Sequence, residues 1–115
     1  MDINMRQFIY RIWSIKENKY VMTGSLYGVE GITHLTQCFN RSEHIIEEYT
    51  GLDDTKGNRI FEGDIIRQKI GRKYEYHPVV WECYGWYIDN FPLAMFDEDL
   101  LVVGNIHQPL KKTKK

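Results

Sequence analysis

The sequence lacks the residue groupings on which most small enzymes rest. It contains neither G-x-x-x-x-G-K nor G-x-G-x-x-G, so no loop is laid out to cradle a phosphate. Its two cysteines, Cys38 and Cys83, stand 45 residues apart and outside any C-x-x-C pair, which argues against a disulfide-built scaffold and a cysteine-rich zinc site. Its four histidines, His34, His44, His77 and His107, form no H-E-x-x-H or similar metal-binding spacing. No apolar run approaches the roughly 20 residues that cross a bilayer. The opening Met1-Asp2-Ile3-Asn4-Met5-Arg6 shows no apolar leader segment. The cytoplasm is therefore the expected compartment, without membrane contact, and both thiols are expected to be reduced and at least partly buried.

Positive charge is also short over most of the chain. The net charge is −1, but Lys111, Lys112, Lys114 and Lys115 crowd the last five positions. The remainder keeps 11 of the 15 basic residues against 16 acidic ones, a balance near −5. Tracking a phosphate backbone needs Lys and Arg to replace condensed counterions, which an acidic body does poorly. Nucleic acid is accordingly not expected as a partner, and any weak binding should vanish with the lysine end. Residues 108 to 115 read as a basic, disordered, solvated tail.

What the chain does have is apolar and aromatic area: 43% hydrophobic residues, eight Tyr, five Phe and three Trp in 115 positions. That composition fits an ordered, strand-rich protein of about one domain. Residues 8 to 13 alternate as a strand, with Phe8, Tyr10 and Ile12 on one face and Ile9, Arg11 and Trp13 on the other. Lys16-Glu17-Asn18-Lys19 reads as a turn into a hairpin partner over 20 to 23. In residues 24 to 44, Gly24, Gly28 and Gly31 argue against a long helix, and a strand, a turn or one helical segment all remain open. From residue 45 onward about five short strands follow, separated by turns, the pattern of a small barrel or sandwich. Gly71-Arg72-Lys73 closes one hairpin and Cys83-Tyr84-Gly85 another. Alternation puts Val79, Trp81, Trp86 and Ile88 inward and Val80, Glu82, Tyr87 and Asp89 outward.

Each cluster that could carry chemistry has a plainer use. Glu62-Gly63-Asp64 sets two carboxylates around a glycine, as an acid–base pair or metal site would. No third ligand adjoins it, and Gly63 at positive φ with Asp64 taking loose amides explains it as a turn. Asp53-Asp54 with Gly57-Asn58 lacks the D-x-D-x-D-G spacing of a calcium loop and reads as a loop tip. Cys83 has no evident base beside it and reads as a packed thiol. No catalytic residue, metal ligand or cofactor site is assigned.

Three stretches resemble the YopX family. Tyr10-Arg11-Ile12-Trp13 is similar to that family's opening aromatic-Arg-x-Trp strand, with Ser14 where the family usually has Asp. Tyr49-Thr50-Gly51-Leu52-Asp53-Asp54, followed by Gly57-Asn58-Arg59-Ile60-Phe61-Glu62-Gly63-Asp64-Ile65-Ile66, matches its Tyr-Thr-Gly-Leu turn and Glu-Gly-Asp-Ile element in order and spacing. Val103-Gly104-Asn105-Ile106 is similar to its closing Ile-Gly-Asn-Ile. The likeness runs from about residue 10 to 106 and skips 24 to 44. It implies a protein encoded in phages and prophages of Gram-positive bacteria, at work in the host cytoplasm. It also implies a mainly β fold: an SH3-like β barrel over 45 to 107 after an α+β part over 1 to 44 that serves self-association. It supplies no catalytic residue.

The function expected on these grounds is a non-enzymatic accessory role, exercised by contact with a host or phage protein and with a second copy of the chain. Tyr84 and Tyr87 are the candidate contact residues, within the aromatic set Tyr74, Tyr76, Trp81, Tyr84, Trp86, Tyr87 and Phe91; Trp81 and Trp86 are expected in the core. The first strand is apolar on both faces, so one face needs a second cover, either residues 24 to 44 or another copy of the chain. The glycine-bearing stretch is a poor lid, so a homo-oligomer is expected, with Trp13 at or next to its contact. Two alternatives stand beside this: a nucleic-acid-binding barrel, and an enzyme whose site gathers distant carboxylates and histidines.

Overall fold

The computed structural model describes residues 7–27, 35, 37–40, 42–82, 85–88, 91–95 and 100–108. The protein is mainly β and divides into two compact units, Met1–Tyr49 and Thr50–Lys115.

In the first unit, β1 (Gln7–Ser14) and β2 (Lys19–Tyr27) form an antiparallel hairpin. Its turn is fixed by local chemistry. Asn18 takes φ 57°, a left-handed conformation that asparagine tolerates. The Asn18 amide donates to the Ser14 carbonyl at 2.8 Å, and the Glu17 amide donates to Ser14 Oγ at 3.0 Å. β3 (His44–Asp53) lies on the other side of β1, with Tyr10 opposite Glu48 and Ser14 opposite His44. Tyr10, Ile12 and Leu35 form the buried cluster, and Leu26, Phe39 and Ile46 pack against it. Burying a residue such as Ile12 contributes about 1.5–3 kcal/mol.

In the second unit the end of β3 pairs with β4 (Arg59–Phe61). β5 (Asp64–Ile70) runs between β10 (Leu100–Asn105) and β6 (Lys73–Pro78), and a second three-stranded sheet has the order β7 (Val80–Glu82), β8 (Gly85–Ile88), β9 (Phe91–Pro92). A 3-10 turn, Leu93–Met95, follows β9. The core consists of Ile60, Ile66, Val79, Ile88, Leu93 and Leu100, with Trp86 and Val102 against it.

Several expectations are corrected here. The SH3-like barrel is not closed: among the described residues the sheets β10-β5-β6 and β7-β8-β9 stay open. Pro78 ends β6 because it has no amide hydrogen to donate. Val79 still bonds to the segment that leads into β5, donating to the Asp64 carbonyl at 2.8 Å and accepting from the Gly63 amide at 3.0 Å. Residues 45 to 49, expected to open the C-terminal part, pair with β1 instead. The helical content of the α+β part amounts, among the described residues, to one turn at Leu35, Gln37 and Cys38. Cys38, expected to be at least partly buried, is exposed, because Leu35 and Phe39 take the inward positions of that turn. Gly24, one of the glycines that argued against a long helix, lies inside β2, one of the alternatives left open.

Candidate functional site

The residues that carry the family likeness are occupied in holding turns. Thr50 Oγ1 donates to the Ile60 carbonyl at 2.8 Å and accepts the Leu52 amide at 3.1 Å. Gly51, Gly57 and Gly63 have φ of 87°, 85° and 84°, where a β-carbon is disfavoured. The buried Asp54 carboxylate accepts the amides of Lys56 (2.9 Å), Asn58 (2.8 Å) and, 48 positions away, Val102 (3.0 Å). Burial pushes the Asp54 pKa up. The amides of Val102 and Asn58, the Asn58 side-chain amide and the Lys56 amide together outweigh that, and hold it below the ordinary 3.8. Asp64, also buried, accepts the Phe61 amide at 2.7 Å. Asn105 accepts the His107 amide at 2.9 Å and donates to Gln108 Oε1 at 3.0 Å.

The remaining buried carboxylate among the described residues belongs to the first unit. Glu47 is 2% exposed and receives Arg11 Nε at 2.7 Å and the Tyr20 hydroxyl at 2.9 Å on the same oxygen. Arg11 lies over the Tyr20 ring, 4.4 Å from its centroid, and Trp13 meets that ring edge-on at 4.9 Å. This is a paired charge under aromatic cover. Among the described residues no three His, Cys, Asp or Glu side chains converge in a metal-holding group.

Of the candidate contact residues, Trp13 is 3% exposed in the single chain. Tyr87 is half-buried on β8, opposite Val80 and Pro92. Tyr84, like Cys83, lies outside the described residues. Trp81, expected in the core, is 53% exposed. It shares the predicted face with Trp86, its partner across the ladder at 4.8 Å, but β7 is the outer strand of its sheet, and an edge position has no neighbour to cover an indole. Phe91, on β9 at the opposite margin, is 51% exposed.

A second surface was not singled out from the sequence. On the β10-β5-β6 sheet, Arg67 stands opposite Tyr76 and Leu101, and Lys69 opposite Tyr74, so all five side chains share one face. Thr55 and Lys56 reach it from the preceding turn, which the Thr55 amide ties to the Leu100 carbonyl at 2.9 Å. Thr55, Lys56, Arg67, Lys69, Tyr74 and Leu101 line an open groove of about 210 Å³. The signal present in the sequence is a run from residue 65 to 74 with Arg67, Lys69, Arg72 and Lys73 and no acidic residue. Arg72 and Lys73 read as hairpin-tip charges, and the Gly71-Arg72 turn, with Gly71 at φ 62°, does carry Arg72 at its tip.

A mainly β chain whose recurrent motifs are turn anchors is thus defined by architecture. The chain belongs to the YopX family: the family model described as YopX protein matches residues 9–110. It is also similar in fold to protein EF1440 from Enterococcus faecalis, whose crystal structure aligns with a TM-score of 0.59 at 18% identity, covering 90% of this chain and 94% of that one. No curated protein matches it.

Proposed function

We propose that this chain is a non-enzymatic accessory protein of phage type, working in the cytoplasm of a bacterial host by protein–protein contact, including contact with itself. The exposure of Trp81 and Phe91 carries this reading. Large aromatic rings left to water on the margins of one sheet are the usual anchors of an interface, since each removes a wide apolar area from solvent when covered. The engagement of Asp54 and Asp64 with backbone amides supports a structural rather than acid–base duty for the most enzyme-like motifs. Among the described residues no helix is long and apolar enough to cross a membrane.

The test is capture from cells carrying the phage, with the wild-type chain against Trp81→Ser/Phe91→Ser. A specific protein retained by the first and lost by the second is expected; identical captures would overturn the reading. Light scattering during size exclusion reads the self-contact directly, and a 13.8 kDa species at micromolar concentration would remove it.

A further inference from the structure

The geometry points to a second binding site, on the face that carries Arg67, Lys69, Tyr74 and Tyr76, whose ligand is single-stranded nucleic acid. The site shares no residue with the Trp81 and Phe91 margins, so it stands or falls separately from the contact function proposed above.

Charge is the first ground. Among the described residues none of Lys56, Arg67 and Lys69 is paired with a carboxylate. Three uncompensated cations border one groove in a chain whose other charges lean acidic. A ligand with repeating negative charge is what such a groove attracts. Alternate residues of a strand stand about 6.8 Å apart, which places Arg67 and Lys69 at a spacing suited to successive phosphates of an extended strand.

The rings decide between polyanions. Tyr74 and Tyr76 are both about half exposed and stand directly across the ladder from Lys69 and Arg67. The Arg67 guanidinium carbon sits 4.4 Å from the Tyr74 ring centroid, a cation–π contact on a ring that is still 47% exposed. Bases stack on such rings whatever their sequence, and only unpaired bases have a face to offer. An acidic peptide would use the cations and leave the rings idle. A duplex would present phosphates while its bases stay stacked on one another.

The expectation from net charge was that any binding would depend on the lysine end. Here it resides in the sheet face, and residues 111 to 115 are dispensable. Three phosphate contacts to a single strand give a roughly twentyfold loss of affinity between 50 and 200 mM salt.

The experiment is fluorescence anisotropy of a labelled oligothymidylate titrated with the full chain. Arg67→Gln/Lys69→Gln should weaken binding at least tenfold and flatten its salt dependence. Tyr74→Leu/Tyr76→Leu should weaken it as much with the salt dependence unchanged. Lys56→Gln, on a separate turn, should weaken it at least threefold and covers the case in which the sheet variants melt early. A chain ending before Lys111 should bind within threefold of the full one. The proposal is overturned by absence of binding at 50 mM salt, by groove variants that bind normally, or by loss confined to the lysine end. Equal or tighter binding of polyglutamate would make this an acidic-protein site, and of a duplex a backbone-tracking one; either result also overturns it.

Discussion

Tyr10 and Gly24 are direct partners across the β1–β2 ladder, and the Tyr10 phenolic oxygen lies 2.7 Å from where a β-carbon on residue 24 would stand. The ring carbon bearing that oxygen is 3.0 Å from the same point. The glycine is there because a ring lies flat on the backbone, a reason distinct from turn geometry.

Gly24→Ala should therefore destabilise the protein by about 1–3 kcal/mol, since the buried tyrosine must shift or leave its rotamer. A thermal melt reads the loss. Tyr10→Phe introduced into the same background removes the closest atom and should restore part of it. A Tm unchanged by Gly24→Ala would show that the ring moves aside without cost.

Asp54 sets an acid limit. Its folded-state pKa lies below the ordinary 3.8, so its contribution is fully present above that value and is lost as pH falls through the folded pKa. Asp54→Asn keeps the shape but turns a donor toward amides that need an acceptor. It should cost about 1–3 kcal/mol at neutral pH, and the gap to wild type should narrow as pH falls below the ordinary carboxylate value of 3.8. Urea melts at a series of pH values check both. A gap constant with pH would detach the acid sensitivity from this carboxylate.

The Arg11–Glu47 pair should behave as a unit. Arg11→Leu removes the 2.7 Å ion pair from a carboxylate that is 2% exposed, and should cost about 3–5 kcal/mol. In a Tyr20→Phe background, Arg11→Leu/Glu47→Leu should lose less than the sum of the two single changes made in that same background. A double-mutant cycle measures this, and additive costs would mean that the two charges are solvated independently.

Turn chemistry was the most legible part of the chain. Gly63, flanked by charges and opening an apolar strand, was expected at positive φ and has it. Such positions are readable because backbone sterics select glycine without reference to anything distant. Pairing was less readable: alternation identifies a strand at 45 to 49 but cannot say that β1 is its neighbour. Alternation also gave Trp81 its correct face and the wrong exposure, because an edge position is a property of the assembled sheet. The groove is the extreme case. Thr55, Arg67, Tyr74 and Leu101 meet only after four segments are brought together, so its sole trace in the sequence is the acid-free run from 65 to 74.

The tryptophans divide between the two units, and this gives each an optical reporter of its own. Trp13 belongs to the first and is shielded from water, so exposing it on unfolding shifts its emission. Trp81 and Trp86 belong to the second, with ring centroids 4.8 Å apart and planes inclined by 67°. Indoles so close and so inclined couple their electronic transitions, and the coupling lasts only while β7 and β8 stay in register. Circular dichroism from the coupled pair thus follows the second unit, and comparison with a Trp13→Phe chain isolates the emission that belongs to the first.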